Sequence, residues 1–313
     1  MPLKTLKKET ADALSLEWVL HVRNYRLDLD KARCTGCQIC SLACPKGAVK
    51  TTKHVKLSGQ KAQKAKVDID LAKCNFCGIC DVLCPYGAIK LTIDGKHMLS
   101  VVEKESFPSL LRDIKTDPTK FPTEPQTSKD ACPLGLITVS YSTAGGKTIE
   151  NPTTLSEPER SWYKTTVNVD REHCPCCTVC EAKLPDRAMR VRKFLTGKLT
   201  INTVKCPDGC RDCLDVCPIT GALYLSDEDK KVHADETFCV YCGACKTVCP
   251  VRDALELKRT CINHSSVRSG AWNKALERLT SSTDLTKELK TKGSQRARDA
   301  VRKRLVPEAR QVA

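Results

Sequence analysis

A short alternation of apolar and polar residues closed by an aspartate recurs along the chain: LDLD at 27–30, VDID at 67–70, VNVD at 167–170 and VHAD at 232–235. Period-two alternation over so few residues argues for a half-buried strand. Three residues after each aspartate a loop of closely spaced cysteines begins, and a second short apolar stretch follows it. These stretches are GAVK (47–50), GAIKLTI (87–93), LITVS (136–140), GALYL (221–225) and DALEL (253–257). The repeating unit is therefore strand, cysteine loop, helical turn, strand, and such an internal repeat decides the fold before any other feature does. It predicts an α+β chain of tandem small modules. Beyond residue 261 the period changes. SGAWNKALERLTS (269–281) and SQRARDAVRKRLVPEAR (294–310) have helical spacing, with Ala297, Val301 and Leu305 on one face.

The loops read Cys-x2-Cys-x2-Cys-x3-Cys-Pro. Copy one holds Cys34, Cys37, Cys40 and Cys44, and copy two Cys74, Cys77, Cys80 and Cys84. Copy five, with one extra residue, holds Cys206, Cys210, Cys213 and Cys217, and copy six Cys239, Cys242, Cys245 and Cys249. Copy four keeps Cys174, Cys177 and Cys180 but has Leu184 before the expected Pro185. Copy three keeps only Cys132, and the motif offsets put Pro122, Pro125 and Ser128 at its first three positions.

Soft thiolate ligands favour iron–sulfur cores and zinc. Zinc sites come as separated pairs of cysteines, whereas a cysteine triplet followed by x3-Cys-Pro is iron–sulfur spacing. Cys206, Cys210 and Cys213 also fit the triplet of radical enzymes that cleave S-adenosylmethionine, but a fourth cysteine follows at once and too little chain remains for their barrel. In two-cluster ferredoxins the fourth cysteine of each motif ligates the other cluster. Applied here, that rule gives the sites Cys34, Cys37, Cys40, Cys84; Cys74, Cys77, Cys80, Cys44; Cys206, Cys210, Cys213, Cys249; and Cys239, Cys242, Cys245, Cys217. It also explains copies three and four. One site, Cys174, Cys177, Cys180 and Cys132, is complete, while the other, at 122, 125, 128 and 184, has lost every ligand. The expectation is five [4Fe–4S] clusters in three modules, using 20 of the 22 cysteines and leaving Cys176 and Cys261. Gly36, Gly78 and Gly243 would let backbone approach the cores. Tyr86, Tyr241 and Phe76 would pack against them, and His54 and His173 are expected at the surface.

Charge and composition fit this reading. The 313 residues carry a formal charge of +15 and only 4% are aromatic, so a large conventional core is not expected. At roughly −2 per ligated cluster, five clusters bring the protein to about +5, and much of the basic excess offsets the cofactors. Clustered cysteines with neither an export signal nor a span of 18 apolar residues point to a cytoplasmic metal protein without a membrane span.

The four intact motifs resemble bacterial-type 2[4Fe–4S] ferredoxins over roughly 24–93 and 200–258, and the whole chain resembles a polyferredoxin. CPDGCRDCLDVCP (206–218) and KESFPSLLRDIKTD (104–117) are similar to the polyferredoxin subunit of formylmethanofuran dehydrogenases, with fewer clusters. The resemblance implies a wire for low-potential electrons serving a partner oxidoreductase, with catalysis on the partner; no nucleotide loop or catalytic triad spacing is present here. The rival function is a structural or nucleic-acid-binding protein that uses clusters as staples. The expected domains are an extension at 1–23, a two-cluster module at 24–99, a one-cluster module at 100–200, a two-cluster module at 201–261 and a basic helical tail at 262–313. Inserts at 51–66 and 141–164 are expected to be solvated loops or docking surfaces. In the tail, 12 Lys or Arg face 5 Asp or Glu over 265–313, and Trp272 and Leu276 are expected to anchor a partner. Chain order makes the middle module the bridge between the outer two.

Overall fold

A computed structural model describes residues 4–280 apart from 55, 57–59, 123, 144, 146, 151 and 153–162. The first strands are β1 (Lys4–Glu9), β2 (Ala13–Val19) and β3 (Asn24–Asp30). Helix α1 (Ile39–Ala43), strands β4 (Val49–Thr52) and β5 (Lys66–Ile69), helix α2 (Ile79–Leu83) and strands β6 (Ile89–Ile93) and β7 (Lys96–His97) follow. The leading strand of each copy pairs with the trailing strand of the other. In β3–β6, Leu27 lies opposite Leu91 and Leu29 opposite Ile89, and in β4–β5, Val49 lies opposite Ile69. Alternation sends these side chains to one buried face, where the register is specified because a one-residue slip would expose them.

The same crossed pairing recurs. After α3 (Ser100–Glu103) come β8 (Asp113–Thr116), α4 (Pro125–Ala131), β9 (Ile137–Thr143), β10 (Thr148–Ile149), β11 (Tyr163–Val169), α5 (Val179–Lys183) and β12 (Met189–Arg192). Strand β8 pairs with β12 and β9 with β11, with Ile114 opposite Val191 and Val139 opposite Val167. Then come β13 (Leu195–Ile201), α6 (Asp212–Val216), β14 (Leu223–Leu225), β15 (Val232–Ala234), α7 (Ala244–Val248) and β16 (Leu255–Ile262). Here β13 pairs with β16 and β14 with β15. Among the described residues no helix is long and apolar enough to cross a membrane.

Three segments differ from the sequence reading. Residues before 24, expected as an extension, form a hairpin that widens the first sheet to the order β1-β2-β3-β6-β7, with Leu14 and Leu16 buried beside Leu27 and Leu29. The 51–66 insert, largely exposed over its described residues, is also fastened to the last unit. Lys53 Nζ donates to the Cys249 carbonyl, Lys56 pairs with Asp212, and the Ala62 N–H donates to Asp215. The third segment is helix α8 (Gly270–Leu279), capped by the Ser269 hydroxyl, which accepts from the Ala271 N–H. It was expected to present Trp272 and Leu276 to a partner. Instead both lie 2% exposed in this chain's own core, with Ile39, Ala43 and Phe107. Trp272 meets Phe107 edge to face at 5.1 Å and donates from Nε1 to His264 Nε2 at 3.2 Å. Arg278 reaches the carbonyls of Leu42 and Cys44. The helical spacing at 294–310 lies outside the described residues.

The α8 contact makes the helix part of the fold. Trp272→Ala should therefore cost about 3–5 kcal/mol. Denaturant unfolding of the anaerobically prepared protein measures this, and an unchanged midpoint would show that α8 is not core.

Candidate metal centres

The local backbone of the cysteine loops is unusual in one repeated way. The residue two after the first cysteine has positive φ in four loops: Gly36 at 68°, Phe76 at 51°, Cys176 at 55° and Tyr241 at 55°. So does the residue after the second cysteine: Gln38, Gly78, Thr178 and Gly243. Left-handed residues alternating with extended ones curl the chain so that backbone N–H groups point inward, a nest for negative charge. The sulfurs receive them. Tyr241 N–H donates to Cys239 Sγ at 3.4 Å, and the fourth cysteines accept from the residue four further on: Ala48 to Cys44 at 3.3 Å, Ala88 to Cys84 at 3.2 Å and Leu136 to Cys132 at 3.4 Å. Phe76, Cys176 and Tyr241 adopt the left-handed angle without being glycine, so small size is not the common requirement. Gly36 alone of this set also needs it, since a Cβ there would sit 2.6 Å from the Ala65 carbonyl oxygen.

Cysteines from the two copies of a unit lie near enough to act on one another's thiols. Burial raises Cys34, and Cys84 from the other copy adds to it; burial likewise raises Cys40, with Cys37 and Cys84 among its neighbours. Cys74, Cys77 and Cys80 are raised by burial and, more weakly, by Cys44. Cys177 is pushed up to about 11 and Cys180 to about 12, mainly by burial, with Cys174 and Cys132 as further causes. Cys213 rises to about 12 by burial beside Cys210 and Cys249, and Cys206 shares those neighbours. Cys217 rises to about 12 and Cys239 to about 11, again through burial, and Cys242 acts on both. Cys245, raised by burial, has Cys242, Cys239 and Cys217 about it. Two quartets line enclosed cavities. Cys44, Cys74, Cys77 and Cys80 do so with Phe76 and Ile79, and Cys206, Cys210, Cys213 and Cys249 with Pro207 and Leu255.

This donor set fits an iron–sulfur cluster. Among the described residues no three His, Cys, Asp or Glu side chains converge closely enough for a single ion, and the fit rests on the all-thiol chemistry of the donors. The surrounding charge points the same way. The Arg259 guanidinium is buried with no carboxylate paired to it among the described ion pairs, and it donates to the carbonyls of Tyr241 (2.8 Å), Cys242 (2.6 Å) and Leu279 (3.4 Å). A buried charge needs a counter-charge, and Cys37, Cys242, Cys245 and Cys239 supply it once they are thiolates. Other cations also end on cysteine carbonyls: Arg112 on Cys174 and Cys84, Lys193 on Cys239, Lys231 on Cys206 and Lys53 on Cys249.

Of the positions that lost cysteine, 184 is filled by apolar packing. Leu184 is 5% exposed and Ser128 is buried, in a core with Phe121, Ala131 and Met189, while Tyr141 donates to the Pro122 carbonyl at 3.0 Å. Of the leftover cysteines, Cys261 is exposed on β16 and Cys176 is fully buried. The Cys176 thiol lowers neighbouring Cys174 to about 7 by hydrogen bonding to it. Cys176 and Cys177 both neighbour Cys174, and Cys177 also has Cys132 beside it. His173 is half-buried, its Nδ1 2.7 Å from Asp170, and His54 is exposed. Sequence reasoning missed Arg112 and Arg259; each lies outside its cysteine loop, and only tertiary packing brings it there.

Comparison with known proteins agrees with this chemistry. Residues 33–88 and 205–252 match the 4Fe-4S dicluster domain family. The polyferredoxin-like subunit of aliphatic sulfonate oxidoreductase from Pyrococcus furiosus is 32% identical over 103 residues, which is 29% of this chain and 56% of that protein. The chain thus spans little more than half the length of that relative. A chain in the formate dehydrogenase–heterodisulfide reductase–formylmethanofuran dehydrogenase complex of Methanospirillum hungatei superposes with a TM-score of 0.71 and 26% identity, over 90% of this chain and 92% of that one.

Removing the Arg259 charge tests the electrostatic fit. Arg259→Met should destabilise the cluster-loaded protein by about 3–5 kcal/mol, because it leaves buried negative charge uncompensated. Anaerobic denaturation midpoints measure this, and a wild-type midpoint would mean that the cysteines near Arg259 carry no net charge.

Proposed function

We propose that this chain, a polyferredoxin-like protein built on 4Fe–4S dicluster domains, is an electron-transfer subunit that carries low-potential electrons to or from a partner oxidoreductase. The observation that supports this most is the spacing of twenty cysteines along the chain, which we read as five quartets, each drawing three sulfurs from one loop and a fourth from the partner copy. We read the chain as three ferredoxin-like modules with two, one and two clusters. The ligands are Cys34, Cys37, Cys40 and Cys84; Cys74, Cys77, Cys80 and Cys44; Cys174, Cys177, Cys180 and Cys132; Cys206, Cys210, Cys213 and Cys249; and Cys239, Cys242, Cys245 and Cys217. When bound, such a cluster takes up and returns single electrons. The residues of the chain do the rest. Apolar walls exclude water and, by lowering the dielectric, disfavour the extra negative charge of reduction, while N–H donors and buried arginines favour it. The balance of the two sets where each site sits on the potential scale.

No catalytic site of its own is assigned to the chain, and reaction with substrate belongs to the partner. The redox complex to which the similar solved chain belongs supports a place in a multisubunit assembly, and a cytoplasmic setting suits thiol ligation. The staple reading gains nothing from the structure, since the basic segment on which it rested lies largely outside the described residues.

Iron analysis of anaerobically purified protein tests the cluster count. It should approach 20 Fe per chain, at four irons per quartet. A value near 16 would mean an empty site, and one near 24 a sixth cluster at the position filled by Leu184.

A further inference from the structure

Chain order implies that electrons cross the middle unit to pass between the outer ones. The packing implies a shorter route. The first and last units meet directly at their cysteine loops. Tyr86, which follows Cys84-Pro85 in the first unit, is 5% exposed and donates its hydroxyl to Cys242 Sγ in the last unit at 3.5 Å. A Cβ on Gly243 would lie 3.6 Å from the Cys37 carbonyl oxygen and 3.2 Å from the Arg259 guanidinium, so the two loops touch backbone to backbone. Cys37 and Cys242 pack against the same apolar group, Val216, Ala244 and Val248 of α6 and α7. Within each outer unit the paired quartets also adjoin, through Cys40 and Cys80 in the first and Cys245 and Cys213 in the last. The middle quartet adjoins the same junction, since Cys177 shares one apolar cluster with Tyr86. It meets the first unit through Arg112, which bridges the carbonyls of Cys174 and Cys84, and it meets the last through apolar packing of Cys177 near Cys217 and Cys242.

We propose that the Tyr86 hydroxyl fixes a direct junction between the quartet Cys34, Cys37, Cys40, Cys84 and the quartet Cys217, Cys239, Cys242, Cys245, so that electrons pass between the outer units without crossing the middle one. The inference rests on the electron-carrier reading. Each transfer moves one electron from one quartet's site to the other, oxidising the first and reducing the second; no bond forms or breaks and no proton is needed. Tunnelling weakens exponentially with distance, so touching loops outrank a route through a third site. The middle quartet becomes a side branch reached from the same junction. Tyr86 is a positioning residue, acting through the Cys242 sulfur, and by donating to it also favours the reduced state there.

The test uses the full chain, reduced by dithionite under anaerobic conditions and followed by electron paramagnetic resonance. The signal of the Cys242 site is assigned as the one that Cys217→Ser removes. Tyr86→Phe keeps the ring and loses the donor. It should retain its iron and shift that signal alone to lower potential, by about tenfold in the oxidised-to-reduced ratio, or ~59 mV for one electron. In Cys132→Ser, which should lose only the middle cluster, the magnetic interaction between the Cys37 and Cys242 sites should persist. An unshifted signal in Tyr86→Phe, or loss of that interaction in Cys132→Ser, would overturn the junction. Iron-loaded parent protein that does not reduce at all would instead overturn the electron-carrier reading, and the junction with it.

Discussion

Sulfur buried out of water is the constraint on which the rest of the structure depends. Desolvation drives many of the loop cysteines toward their neutral form, several to about 11 or 12, while the Cys176 thiol holds Cys174 low. Thiolates persist in such places only beside positive charge, and metal binding releases the thiol proton. The chain contributes in the same sense. Inward N–H groups, Arg259, Arg112 and several lysines that end on cysteine carbonyls surround the quartets with positive potential. The excess of basic residues is thus placed where an anionic cofactor would sit. Metal binding and folding are accordingly one process, because no quartet comes from a single stretch of chain.

That crossing of ligands shapes the architecture. A fourth cysteine serving the partner copy, as proposed, requires two copies to face each other, and the crossed strand pairs β3–β6 and β4–β5 are compatible with that facing. The same arrangement around Cys132, Cys174, Cys177 and Cys180 survives with one site filled by Leu184 and its apolar neighbours. The fold tolerates loss of a whole site when hydrophobic volume replaces it, and the crossed pairing of β8 with β12 is unaffected. The units then fold onto one another instead of extending as a string, held by the 51–66 segment, α8 and the arginines.

Spacing made the iron–sulfur character of the loops legible in the sequence, because ligand spacing within a loop is local. The complementary losses at Ser128 and Leu184 on one side, and the retention of Cys132 on the other, were legible for the same reason. Contacts between units were not. Nothing in the alternation of LSLEW (14–18) says that it pairs with LDLD, and the apolar face of 270–279 fits a foreign surface as well as α1. Lys56 meeting Asp212 and Tyr86 meeting Cys242 join residues about 156 positions apart, beyond the reach of local pattern. Chain order is not spatial order in a folded repeat, as the Tyr86–Cys242 contact between the first and last units illustrates.

The central claim is that the quartets hold reversible one-electron carriers. Coulometric reduction and reoxidation of the iron-loaded full chain tests it most directly. The account predicts five electrons per chain at low potential, one for each quartet, recovered on reoxidation with iron intact. Full iron content with no electrons taken up would contradict it and leave the clusters as structural staples.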